Sequence, residues 1–117
     1  MKDALKLLET IEDIVNRDSR YKIDAYNFVL ETLNYTVRNL KKTRHVTGVE
    51  LLAGIREQAQ KQFGPMARTV FEHWGVQETL DFGHIVFNLV DAKILSKTDQ
   101  DSIEDFKNGY DFKDAFG

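Results

Sequence analysis

The sequence predicts an all-α fold, a compact bundle of five or six helices, on three observations. Apolar residues recur every three or four positions, most regularly at Ile23, Tyr26, Leu30, Leu33, Val37 and Leu40, the spacing that aligns one face of a helix. A complete helix start stands at Val46-Thr47, with Glu50 three residues beyond the threonine. The single Pro and most of the seven Gly fall at the ends of the periodic segments, where they punctuate helices. A chain of 117 residues without an internal repeat or linker is read as one domain, 1–117.

Leu8, Ile11 and Val15, with Leu7 and Ile14 beside them, predict a first amphipathic helix over about 3–16. The stripe from Ile23 to Leu40 predicts a second over 22–42, with its seam filled from the same chain rather than by a dimer partner. The third begins at 48: Thr47 accepts from the Glu50 amide while the Glu50 side chain returns to Thr47, and Val46 and Leu51 staple the start. It runs to about 62, burying Leu51, Leu52, Ile55, Ala59 and Phe63, until Gly64-Pro65 ends it and opens the fourth, over 65–74. The fourth buries either Met66, Val70 and Trp74 or Ala67, Phe71 and Trp74, and Gly75 suits the left-handed residue that closes it. Phe82, Ile85, Val86, Leu89 and Val90 predict a fifth helix, with Thr79 as cap and an end near Lys93. A last short helix, capped by Thr98, carries Ile103 and Phe106 as far as Asn108-Gly109; its alternative is a short winged-helix-like hairpin after Leu95. Gly54 and Gly83 lie inside helices, where glycine costs about 1 kcal/mol relative to alanine, so close helix contacts are expected there.

The motifs along the chain resemble a known family. Arg44-His-Val-Thr-Gly-Val-Glu-Leu-Leu-Ala-Gly-Ile-Arg, Gln62-Phe-Gly-Pro-Met-Ala, Glu72-His-Trp-Gly, Asp81-Phe-Gly, Ile85-Val-Phe-Asn-Leu-Val, Leu95-Ser-Lys-Thr and Asp101-Ser-Ile-Glu-Asp-Phe are together similar to the Minf family, a small uncharacterised bacterial family of planctomycetes, verrucomicrobia and related groups. One departure is Lys93, where the resemblance leads one to expect glycine; a helix ending there in a left-handed conformation makes lysine mildly unfavourable. The resemblance implies no activity.

Charge is distributed unevenly. Residues 1–37 sum to −2, residues 38–68 to +5 and residues 69–117 to −6, for a net charge of −3. The cations of the middle segment, Arg38, Lys41, Lys42, Arg44, Arg56, Lys61 and Arg68, form a candidate basic patch for phosphates or acidic proteins. Solvated helix faces account for the same residues. The acidic end, with its aromatics Tyr110, Phe112 and Phe116, is a candidate to fold over that patch or dock on a second copy's. The absence of Cys fits a reducing compartment, and no run approaches the roughly 18 apolar residues of a membrane span, so the expected location is the cytoplasm.

No catalytic or metal-binding motif emerges, and no cofactor is expected. His45, His73 and His84 do not pair at helical metal-site spacing. Asp99 to Asp105 fails as a calcium loop because Glu104 stands where glycine is required; Asp99 and Asp101 are read instead as complementing a helix N-terminus. His73, Trp74 and His84 are the residues around which a small pocket could form. The functional reading that asks least is a non-catalytic protein-interaction module using the basic patch or an exposed aromatic tail. The alternative is a winged-helix-like nucleic-acid binder using the basic patch of residues 38–68, although Asp81, His84, Asn88 and Asp91, expected on the exposed face of helix five, place carboxylates where phosphate contacts need cations. An enzyme is the least supported class, and partner and oligomeric state stay open.

Overall fold

A computed structural model describes residues 2–40 and 44–117, with side chains from Leu5 onward in the first helix. The fold is an all-α bundle: α1 (Lys2–Arg17), α2 (Ile23–Arg38), α3 (Gly48–Phe63), a 3-10 turn (Gly64–Met66), α4 (Ala67–His73), α5 (Thr79–Asp91), a second 3-10 turn (Ile103–Phe106) and α6 (Phe112–Phe116). No helix among the described residues is long and apolar enough to cross a membrane.

Helices α2, α3 and α5 form the frame. Gly54 lets α3 approach α2 closely, for a Cβ there would collide with the Thr36 hydroxyl. The capping box at Thr47 and Glu50 is present, with the Glu50 amide donating to Thr47 Oγ1 at 3.2 Å and the Thr47 amide to Glu50 Oε1 at 3.0 Å. Gly75 closes the α4 segment with φ 89°, and the Val76 amide returns 2.8 Å to the Phe71 carbonyl while its side chain is fully buried. Lys93 does adopt the left-handed conformation, φ 64°, with the Ile94 amide donating to Leu89 O at 2.9 Å.

Several elements differ from the sequence expectation, each for a local reason. The α2 stripe is rotated: Ala25, Tyr26, Phe28, Val29 and Thr32 are buried, whereas Ile23, Leu30, Leu33 and Val37 are only partly covered. Phe28 causes the rotation by joining an aromatic cluster with Phe63, Phe71 and Trp74. The helix stops at Arg38, where the Asn39 amide group Nδ2 donates to the Tyr35 carbonyl, and the expected extension through Lys41 and Lys42 lies outside the described residues. In α4 the second of the two expected sets is the one realised, with Ala67 and Phe71 buried and Met66 exposed after the 3-10 turn at Pro65. Thr79 is not a cap. It is buried inside α5, donating to Phe106 O at 2.6 Å and accepting from the Gly109 amide, while Glu78 takes the cap position.

The C-terminal part contains no strand among the described residues, so the hairpin alternative does not form. Ser102, not Thr98, caps the 3-10 turn by accepting from the Glu104 amide, and Asp111 caps α6 by accepting from the Lys113 amide. Both caps commit the backbone to helical turns. Asp99 and Asp101 precede the turn rather than sit in a first helical turn. The aromatic tail is not an exposed binding element: Phe112 and Phe116 are buried, and both lie within 6 Å of the central Phe71 ring. Gly83 makes room for this segment, since a Cβ there would stand 2.8 Å from Ile103 and Phe106 side-chain atoms.

Candidate functional site

A mostly apolar groove of about 270 Å³ opens between α2, α3 and α5. Its walls are the residues that α2 turned away from the core, Leu33 and Val37, together with Leu51 of α3 and Val86 and Val90 of α5. Leu95 and Phe106 close the far side. One lip is the segment Arg44–Thr47 that leads into α3, and the other is the connector after α5 with Ser96, Lys97 and Asp101.

The lips are held in place by charge-assisted hydrogen bonds. Arg44 grips Glu50 with two contacts, 2.6 and 2.9 Å, a bidentate pair that also uses the capping carboxylate of α3. Beside Arg44, and with the Thr47 amide as a further donor, the Glu50 carboxyl is pulled down to about 2. His45 Nε2 lies 2.6 Å from Asp101 Oδ2, joining the two lips across the groove mouth. Burial works against ionisation of Asp101, but the Thr98 amide at 2.8 Å and His45 outweigh it and hold its carboxyl low.

The described basic residues come from several elements, and most have a local partner. Arg44 lies in the segment before α3, Arg56 and Lys61 on α3, and Arg68 on α4. Lys61 contacts Glu57 at 3.4 Å and the Tyr35 hydroxyl at 3.3 Å, and Arg68 contacts Glu72 at 3.4 Å. Arg56 stacks over the Tyr110 ring, whose hydroxyl donates to Leu52 O. Arg38 is exposed at the end of α2 and lines a separate polar cleft with Glu31 and Gln58; Lys41 and Lys42 lie outside the described residues. His45 meets Asp101, a contact that links the middle segment to the acidic end across the fold.

His73, Trp74 and His84 occupy different environments. His73 is exposed at the end of α4, Trp74 packs among Phe28, Phe63 and Phe71, and His84 is half-buried on α5. The face of α5 expected to be exposed is largely engaged. Asp81 accepts a 2.6 Å bond from the Tyr21 hydroxyl and further bonds from the Gln77 and Glu78 amides. Asn88 donates to both Asp18 and the Tyr26 hydroxyl, and only Asp91 of the four is exposed. Burial, followed by the bond to Asp81, pushes the Tyr21 phenol far up, so it stays a donor. This network fastens the α1–α2 turn to α5.

The groove was hidden from sequence reasoning because its wall residues carry the same signal as core residues. Leu33 and Val37 fit a buried stripe by spacing; only the rotation imposed by Phe28 uncovers them. A usable signal was the width of the apolar arc of α2, which takes in Phe28 and Val29 as well as the seam and exceeds what one helix contact covers. No family model, curated protein or solved structure matches the chain.

Proposed function

We propose that the protein is a non-catalytic protein-interaction module whose contact site is the groove between α2, α3 and α5. The observation that carries this reading is the apolar wall of Leu33, Val37, Val86 and Val90 left open at the surface beside a fixed polar rim. A volume of about 270 Å³ falls just below the 300–1,000 Å³ or so of sites that enclose a whole small molecule. It suits one or two apolar side chains projecting from a partner's helix, with the rim selecting the polar residues beside them. Nucleic-acid binding draws less support, since Arg44, Lys61 and Arg68 already face carboxylates. Kinship with the Minf family and a cytoplasmic location belong to the same proposal, on the motifs and the cysteine-free composition.

Methyl-resolved NMR tests it. On titration with a synthetic amphipathic peptide helix bearing leucines at i, i+3 and i+4, the methyls of Leu33, Val37, Val86 and Val90 shift and saturate, while those of the core residues Ile55 and Ile85 do not. Silence at the groove methyls, or a response confined to another surface, overturns the reading.

A further inference from the structure

The link from the second 3-10 turn to α6 turns at Lys107 and Asn108. Asn108 adopts the left-handed conformation, φ 51°, which asparagine tolerates better than most residues. Gly109 follows, lying against Leu52, where a Cβ would come within 2.7 Å of Leu52 Cδ1. The steric demands of the turn thus set an Asn-Gly pair here, and no other Asn-Gly occurs in the sequence. Both residues are exposed, so water reaches them.

Asn-Gly is open to intramolecular attack, since glycine places no side chain in the path of its own nitrogen. The Gly109 nitrogen bonds to Asn108 Cγ, the Cγ–Nδ2 bond breaks, and ammonia leaves with the Gly109 amide proton. Water then opens the five-membered imide. Attack at Cγ gives aspartate; attack at the main-chain carbonyl gives isoaspartate, in which the backbone runs on through Cβ and Cγ. No electrons are gained or lost, and water is the only co-reactant.

Thr79 stands against the first step. The Gly109 N–H donates at 3.0 Å to Thr79 Oγ1, and this hydroxyl donates in turn at 2.6 Å to Phe106 O. Attack by the Gly109 nitrogen has to break the first of these bonds. Thr79 is 1% exposed, so its oxygen is not exchanged for water while the segment stays packed. The same hydroxyl grips the chain on both sides of Asn108, and a backbone lengthened between Phe106 and Gly109 does not fit both bonds.

We infer that Asn108 is a site of spontaneous deamidation, that the Thr79 hydroxyl restrains it, and that the isoaspartate product releases residues 106–116 from the core. Release comes from the lengthened backbone rather than from the added charge. A new carboxylate at 108 shares its cleft with Glu78 and Asp111 but also with Arg68 and Lys113, which offset the repulsion.

Peptide-mapping mass spectrometry of the full chain, aged in mildly alkaline buffer, tests the inference, with aspartate and isoaspartate peptides separated by chromatography. Asn108 is expected to convert first among the six asparagines, the other five lacking a following glycine. Thr79→Val is expected to speed conversion at Asn108 roughly two- to tenfold, the effect of losing one hydrogen bond, and Thr79→Ser to keep the parent rate. Should Thr79→Val fail to fold, the parent chain in urea takes its place, and its Asn108 is expected to convert faster than in the folded chain by at least that factor. Hydrogen exchange reads the consequence: isoaspartate-bearing chains exchange faster over 106–116, while freshly prepared Asn108→Asp exchanges like the parent. Conversion at Asn108 no earlier than at the other asparagines overturns the inference. So does a Thr79→Val, or a chain in urea, whose Asn108 rate matches the folded parent, and so does a Thr79→Val that speeds all asparagines alike. Parent-like exchange in the isoaspartate chains, or equal loosening in Asn108→Asp, overturns the release by backbone lengthening.

Discussion

The two end regions of the chain are similarly apolar and have opposite fates. The segment from Ile103 to Phe116 packs its Phe106, Phe112 and Phe116 into the core, while Leu5, Leu7 and Leu8 at the start of α1 stay at the surface. Hydrophobicity does not separate them. What separates them is backbone anchorage: Thr79 donates to Phe106 O, Gln60 to Ala115 O, and the Tyr110 hydroxyl to Leu52 O, so the C-terminal segment has its polar groups satisfied as it is buried. Glycine at 83 and 109 lets it come close. From Leu5 to Glu9 no comparable hydrogen bond ties α1 to another element among the described residues.

Mutations should expose this contrast, beginning with its strongest case. Phe71→Ala removes the ring around which Phe82, Phe112 and Phe116 pack, with centroids 5.2 to 5.8 Å away, and is expected to cost about 3–5 kcal/mol by urea denaturation. A loss below 1 kcal/mol or so would mean the C-terminal segment docks independently of the core. Thr79→Val keeps the shape but strips the hydroxyl that both donates to Phe106 O and accepts from the Gly109 amide. The expected cost is about 1–3 kcal/mol, with amide exchange accelerating first over residues 103–116. Equal acceleration across all helices would show that Thr79 is no local tether.

The second half of α1 is tied down differently, through Asp18. Arg20, chiefly, and the Asn88 amide hold its carboxyl well below the usual carboxylate range, against the effect of burial. Because the folded value is depressed, the unfolded chain takes up the proton first as pH falls. The contribution is therefore full above the ordinary aspartate value of about 3.9 and is lost progressively below it. Asp18→Asn should flatten the acid limb of stability against pH between about 4 and 2, and an unchanged limb would remove Asp18 from the latch. The smallest effect belongs to the exposed half of the same helix. Leu8→Ser is expected to change stability by no more than about 0.5 kcal/mol, measured in dilute solution. A larger loss there would place Leu8 inside the fold of a single copy and close the gap between the two regions.

Much of the fold was legible in the residues themselves. The capping box at Thr47 and the left-handed closure at Gly75 depend on neighbours within one helix turn, and the α3 stripe of Leu51, Leu52, Ile55 and Ala59 follows from its spacing; all are present. The close approach at Gly54 and Gly83 followed from the penalty of glycine inside a helix. The candidate site was far less legible. Its walls come from α2, α3, α5 and the connector after α5, and each wall residue alone looks like a core residue. The basic segment that stood out by charge is, where described, largely a set of local pairs such as Arg44 with Glu50 and Lys61 with Glu57.

By itself the sequence determined the start of α3 and the closure at Gly75, because the Thr47–Glu50 capping box and a left-handed glycine act over three or four residues; the end of α2 and the caps of α5 and the second 3-10 turn were set by other residues. Tertiary structure decided which side of α2 and how much of the polar face of α5 is covered. Phe28 turns α2 toward Phe63, Phe71 and Trp74; Leu33 and Val37 are uncovered in consequence; and Asp81 and Asn88 become partners of Tyr21, Asp18 and Tyr26 rather than a solvent face. An apolar residue gains from burial against any apolar surface without direction, so its spacing specifies a face but not which neighbour covers it, and that choice is made only when all the helices pack at once.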